Sequence, residues 1–215
     1  VPLDQVEADA ALADLRESAD EAGAARTVAL IDSGGAVRDF LAGVSGLSDF
    51  LRDALRRDPS ILERLARTSI DARLADILAT MRMAWSADDV SEASLMAALR
   101  ALKTEAHVLI ALDDLAGAAT TETTVHRLSD LADVAIRAAV DFLLCDAHRQ
   151  GKLKLPDPAD PSHGSGWIVL GMGKLGAHEL NFSSDIDLIV FFEPDAPGIV
   201  DPDDAVELFS RLTRR

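Results

Sequence analysis

Apolar residues recur at helical spacing through the first two-thirds of the chain. Leu3, Val6, Ala10 and Ala13 open the pattern, with acidic residues between them, and predict a helix over residues 3–22. Gly23 and then Ser33-Gly34-Gly35 interrupt it. A short helix is expected over Ala36–Ala42, stopped near Gly43–Gly46. Ser48 is placed to N-cap a helix whose stripe is Phe50, Leu51, Ala54 and Leu55. Asp58-Pro59 marks a break, because proline disfavours helix in the residue before it. Pro59 fits the first turn of the next helix, with Ile61, Leu62 and Leu65 on one face. Residues 70–85 continue with Leu74, Ile77, Leu78 and Met81. Ser91 opens a longer helix through Leu95, Leu99, Leu102, Ala106, Leu109 and Leu112 to Gly117. A last one runs from Thr124 to Ala147 along Leu128, Leu131, Val134, Ala135, Ala138 and Phe142. Residues 1–150 therefore read as antiparallel helices.

The pattern then changes. Residues 151–166 hold Leu155-Pro-Asp-Pro158, Asp160-Pro161 and Ser162-His-Gly-Ser-Gly166, a Pro/Gly/Ser-rich linker. Two apolar runs follow, 167–171 and 186–192, rich in Val, Ile and Phe, and both read as strands. Glu179–Phe182 is expected to form one helical turn between them, Glu193–Gly198 a loop, and 203–215 a final helix. The expected class is α+β: a mainly helical domain over 1–150, the linker, and the start of a second α/β domain, an incomplete mixed sheet, over 167–215.

The segment between the two apolar runs carries the candidate chemistry. Trp167-Ile-Val-Leu-Gly-Met-Gly-Lys-Leu-Gly176 enters a glycine-rich turn, and Asp185-Ile-Asp187 opens the second run. Alternate residues of a strand share a face, so Asp185 and Asp187 are expected to point together. Two adjacent carboxylates are hard oxygen donors suited to Mg²⁺ or Mn²⁺. Gly173 and Gly176 let backbone N–H groups approach a phosphate, with Lys174 to neutralise charge and Ser184 as a further donor. Metal carboxylates facing a phosphate-binding turn point to phosphoryl or nucleotidyl transfer. Asn181 is placed to fix the connecting loop through its side chain.

These residues resemble the nucleotidyltransferase superfamily, whose signature is Gly, a small or polar residue, about ten residues, then Asp-hydrophobic-Asp. Lys174 stands where most members have Ser or Gly. Within the superfamily, Gly171-Met-Gly-Lys-Leu-Gly176 and Glu179-Leu-Asn-Phe-Ser-Ser-Asp-Ile-Asp-Leu-Ile189 resemble the glutamine synthetase adenylyltransferases. The wording is that of their N-terminal, adenylyl-removing half, with Ala177-His178 in place of the more usual Gly-Arg. Leu47–Leu51, Arg57–Pro59 and Leu99–Lys103 through Asp114–Gly117 add looser matches.

The resemblance implies phosphorolysis of AMP-O-tyrosine on glutamine synthetase, giving ADP and unmodified enzyme. Asp185 and Asp187 would be the metal ligands, and Gly173, Lys174, Gly176 and Ser184 the nucleotide and phosphate site. It also implies regulation by the PII signal protein and a third metal carboxylate beyond Arg215, so that residues 1–215 alone are expected to be inactive. Two alternatives stay open: an ATP-dependent protein adenylyltransferase half of the same family, and a non-catalytic helical interaction module.

Composition narrows this picture. Of 215 residues 48% are hydrophobic but only 4% aromatic, which favours Ala/Leu-built helices. A net charge of −16 speaks against nucleic acid, whose readers need basic patches. The single cysteine, Cys145, cannot form an internal disulfide, which suits a reducing cytosol, and a core thiol is expected there rather than a nucleophile. No apolar run reaches the ~18 residues of a membrane span. His107, His126 and His148 sit singly on helices, and ordinary polar or packing roles are expected for them. The Val1-Pro2 start and the helical pattern at Arg214-Arg215 read as cuts in a longer protein.

Overall fold

The computed structural model describes residues 5–87 and 89–215; the expected apolar position at Leu3 lies outside them. The helices are α1 (Gln5–Glu21), α2 (Ala25–Asp32), α3 (Gly35–Leu47), α4 (Asp49–Arg57), α5 (Ser60–Leu65), α6 (Ile70–Met83), α7 (Glu92–Leu115) and α8 (Thr121–Arg149). Strand β1 (Trp167–Gly171), a single turn α9 (Gly173–Gly176), strand β2 (Leu188–Phe192) and helix α10 (Ala205–Thr213) follow. This is the mainly helical α+β class read from the sequence. The sheet among the described residues is an antiparallel pair. The chain divides into two compact units, residues 1–77 with 101–124, and residues 78–100 with 125–215.

In the first unit the buried face of α1 is Ala8, Ala11, Leu12, Leu15 and Ala19, while Val6 is exposed. The expected Val6/Ala10/Ala13 stripe is thus corrected. The face bearing Leu12 and Leu15 has more apolar area to remove from water, and area sets the preference. Helix α2 is a finding of the structure; the sequence pattern breaks at Gly23 and Ser33–Gly35 on either side of it. Helix α3 also continues past its expected stop, because Gly43 and Gly46 are helical. At Gly46 an added Cβ would lie 3.1 Å from Ala8 Cβ, so this glycine marks a close approach of α3 to α1. Ser48 caps α4 as expected: its Oγ accepts from Leu51 N at 3.3 Å. Glu105 on α7 is buried and accepts from Arg73 Nε at 2.7 Å and Arg64 Nε at 2.8 Å, tying α5 and α6 to α7.

In the second unit Ser91 Oγ accepts from Ser94 N at 3.1 Å ahead of α7. The start of α8, which belongs to the first unit, lies three residues before the expected Thr124, at Thr121, after Thr120 Oγ1 accepts from Thr123 N. The 151–166 segment contributes Leu153 and Leu155 to a buried cluster with Phe142, Leu144, Trp167, Leu208 and Phe209. Strand β1 matches its expected bounds. Its register pairs Trp167 with Phe192, Val169 with Val190, and Gly171 with Leu188 on one face. That face meets α10, where Phe192 stacks on Phe209 at 5.2 Å between centroids. The opposite face pairs Ile168 with Phe191 and Leu170 with Ile189, and all four side chains are exposed. Cys145 packs half-buried against the cluster, and burial pushes its thiol up, the state of an unreactive sulfur.

Candidate nucleotide and metal site

The site forms where β1 ends and β2 begins. The antiparallel register would carry on from Gly171 and Leu188 to Met172 opposite Asp187, and Met172 N does donate to Asp187 O at 2.8 Å. One residue further on, Gly173 turns the chain into α9 with φ of +52°, so Ile186 and Asp185 lose their pairing partners. Strand β2 therefore starts at Leu188, not at 186. Asp185 and Asp187 lie in the segment leading into it, not on one regular strand as expected. Both carboxylates are exposed.

The expected helical turn at Glu179–Phe182 is instead α9, Gly173–Gly176. Its glycines have separate duties. A Cβ at Gly173 would stand 3.8 Å from Asp187 Oδ2, so the turn and the second carboxylate are neighbours. The positive φ there suits glycine. A Cβ at Gly176 would lie 2.5 Å from Gly171 O, and one at Gly171 2.9 Å from Leu175 Cγ. The smallness of Gly171 and Gly176 thus seats α9 against the end of β1, with Leu175 buried beneath it. Lys174 is exposed, and its carbonyl accepts from Glu179 N at 2.8 Å.

Residues 177–187 connect the turn to β2 without helix or strand. Asn181 fixes part of this loop, as its side-chain chemistry predicts: Oδ1 accepts from Ser183 N at 3.1 Å and from Ser184 Oγ at 2.8 Å. Ser184 is half-buried, and its hydroxyl is engaged inside the loop in this arrangement. His178 takes φ of +61°, rare for a non-glycine residue. Its Nε2 lies 3.2 Å from Asp130 Oδ1, and its ring is 5.2 Å from that of His126. The backbone N–H of Leu180 donates to Ser129 Oγ at 3.1 Å. Sequence alone singles out neither Ser129 nor Asp130 and gives His126 an ordinary polar or packing role. No local pattern flags residues some fifty positions from the motif they touch.

A groove of about 280 Å³ runs beside the inner sheet face, lined by Asp133, Arg137, Trp167, Val169, Gly171 and Leu188 among others. It falls just under the usual range for a small-molecule pocket.

The donor set suits a hard divalent ion. Mg²⁺ takes one or two carboxylates and completes its shell with water and substrate phosphates, and exposed oxygens at Asp185 and Asp187 leave room for both. Among the described residues no group of three or more His, Cys, Asp or Glu side chains converges on one metal position.

Comparison with known proteins places the chain among nucleotidyltransferases. The model of the glutamate-ammonia ligase adenylyltransferase family matches residues 39–215, and the chain belongs to that family. It is similar to the bifunctional glutamine synthetase adenylyltransferase/adenylyl-removing enzymes of Mesorhizobium japonicum, 62% identical over 214 residues, and of Brucella suis, 51% identical over 214 residues. That of Rhizobium meliloti is 44% identical over 218 residues. In each case the match covers 100% of this chain and 22% of the relative. The chain thus spans about a fifth of the length of these relatives. No helix among the described residues is long and apolar enough to cross a membrane.

Proposed function

We propose that the chain carries the adenylyl-removing site of its family, in which inorganic phosphate cleaves AMP from a tyrosine of glutamine synthetase. The observation that carries this reading is the juxtaposition of Gly173 with the Asp187 carboxylate, built by the Met172–Asp187 rung. The family match supports the enzyme class, and the Glu179–Asp187 wording supports the choice of half.

In the proposed reaction a phosphate oxygen forms a bond to the phosphorus of the AMP-tyrosine diester. The phosphorus–phenol oxygen bond breaks, the phenol regains a proton, and ADP leaves. No protein nucleophile is needed. Gly173 presents bare backbone to the phosphates, and the Lys174 ammonium faces their negative charge. Asp185 and Asp187 would hold a divalent ion, which would supply positive charge to neutralise phosphate oxygens. The PII signal protein is the expected regulatory partner.

Asp185→Asn with Asp187→Asn tests the assignment. Because both side chains are exposed, the variant is expected to fold normally and to lose Mn²⁺ binding; introduced into a protein of the relatives' full length, it is expected to release ADP from adenylylated glutamine synthetase and phosphate at least about a hundredfold more slowly than the unsubstituted full-length protein. Unchanged Mn²⁺ affinity would remove both aspartates from the site. A protein that consumes ATP to modify glutamine synthetase, but shows no phosphorolysis, would transfer the site to the opposite reaction.

A further inference from the structure

We infer that Ser129, on α8, is a positioning residue for the carboxylate pair, acting through the backbone of Leu180; this rests on the reading of Asp185 and Asp187 as metal ligands. The connection over residues 177–187 is neither helix nor strand; its first three residues donate to carbonyls of α9, and most of it is exposed. Two grips from α8 hold it. Ser129 is fully buried, and its own proton goes to Val125 O at 2.8 Å, which turns an oxygen lone pair toward Leu180 N. The Leu180 side chain is buried beside this bond. The second grip is Asp130 on His178, backed by the His126 ring.

Stiffness passes onward from Leu180. Asn181 binds Ser183 and Ser184, and Asp185 follows directly. At the far end the Met172–Asp187 bond pins the loop to β1. The two aspartates thus sit on a span anchored to α8 at one end and to β1 at the other. Without the Ser129 hydroxyl, a buried N–H loses its acceptor and one anchor goes, while the β1–β2 ladder keeps its own bonds. A purely structural serine would instead loosen α8 as a whole.

Amide hydrogen exchange and Mn²⁺ titration of the intact protein separate these cases. In Ser129→Ala the amides of residues 180–187 are expected to exchange about tenfold faster, as befits one lost buried hydrogen bond, with the β1–β2 amides unchanged. Mn²⁺ affinity should fall roughly three- to tenfold, since a loosened donor pair must be reordered on binding. Ser129→Thr, which keeps a hydroxyl able to bond the i−4 carbonyl, should restore both. Ala138→Gly, which weakens α8 elsewhere, should produce neither selective change. Asp130→Ala, at an exposed position, tests the second grip independently and should speed exchange at 177–179. Uniform loosening in Ser129→Ala, matching Ala138→Gly, would overturn the assignment, as would protection at 180–187 that stays at the wild-type level. Absence of Mn²⁺ binding in the wild type would instead strike the metal-ligand reading of the aspartates, and the exchange pattern would still decide whether Ser129 holds the loop.

Discussion

His107 lies half-buried on α7, edge-on to Phe50 at 6.3 Å between ring centroids. Removal from water disfavours its imidazolium form, Lys103 one turn away adds repulsion, and the pKa falls from 6.5 to about 4. Between these values the unfolded chain binds a proton that the folded chain does not. The stabilisation from neutral His107 is therefore complete above about pH 6.5 and is lost as pH falls toward 4. Its ceiling is about 3 kcal/mol, reduced by the partial exposure of the ring. Urea unfolding at pH 7 and pH 4.5 should show a smaller pH-dependent loss in His107→Leu than in the wild type. Gly176 gives a sharper test at the site. Gly176→Ala drives a methyl into Gly171 O, and a cost of about 1–3 kcal/mol in thermal unfolding is expected. Gly43→Ala should do the reverse. It sits mid-helix with open space at its Cβ position, and a gain of about 0.5–1 kcal/mol is expected. The sequence showed that the turn is rich in glycine. Which glycine serves φ and which serves contact depends on a carbonyl from β1, and that is visible only once the chain is folded.

Elements were most legible where periodicity was long and caps were chemical. Helices α4 and α7 and strand β1 began where Ser48, Ser91 and the first apolar residue indicated. The misreadings have a common cause. Gly43 and Gly46 look like a helix stop, yet α3 uses Gly46 to come close to α1, a tertiary advantage that local propensity does not register. The start of β2 was misplaced because the ladder fails at Gly173, on the partner strand. At this scale the decisive ion cluster is Glu105 with Arg64 and Arg73. Burial alone would raise the Glu105 carboxyl, but hydrogen bonds from Arg73 and Arg64 outweigh it and hold it below the ordinary carboxylate range. The folded state therefore gains from an ionised Glu105 above the unfolded pKa, and the gain is lost as pH falls through the lower folded value. Glu105→Ala leaves Arg64 its bond to Asp58 and Arg73 its bond to Asp76, but removes the buried acceptor that joins them, and a loss of about 1.5–3 kcal/mol at pH 7 is expected by chemical denaturation. A loss below about 1 kcal/mol would mean that water replaces the carboxylate.

For the whole molecule, the net charge of −16 and the compact Gly171–Asp187 motif lead to one expectation, a nucleotide and not a nucleic acid as the ligand. The candidate pair at Asp185 and Asp187 stands out in the sequence because both lie in one short motif; the Ser129–Leu180 bond does not, because its partners are 51 positions apart. Two carboxylates fix a metal loosely, and a misplacement near 1 Å costs on the order of a hundredfold in rate. Residues 1–215 alone are therefore expected to deadenylylate glutamine synthetase at least about a hundredfold more slowly than a protein of the relatives' full length. ADP release by the two side by side is the measurement.

The outward side of the β1–β2 hairpin has a practical consequence. Ile168, Leu170, Ile189 and Phe191 form two adjacent apolar cross-strand pairs open to solvent. An uncovered apolar hairpin face is a ready template for sticking. Purified as 215 residues, the protein should bind a hydrophobic dye, scatter light increasingly with concentration, and precipitate on warming before it unfolds cooperatively. Phe191→Lys with Ile168→Glu would place opposite charges across one rung and should keep the protein clear in solution. Its circular dichroism should be unchanged, because neither side chain contributes to the core.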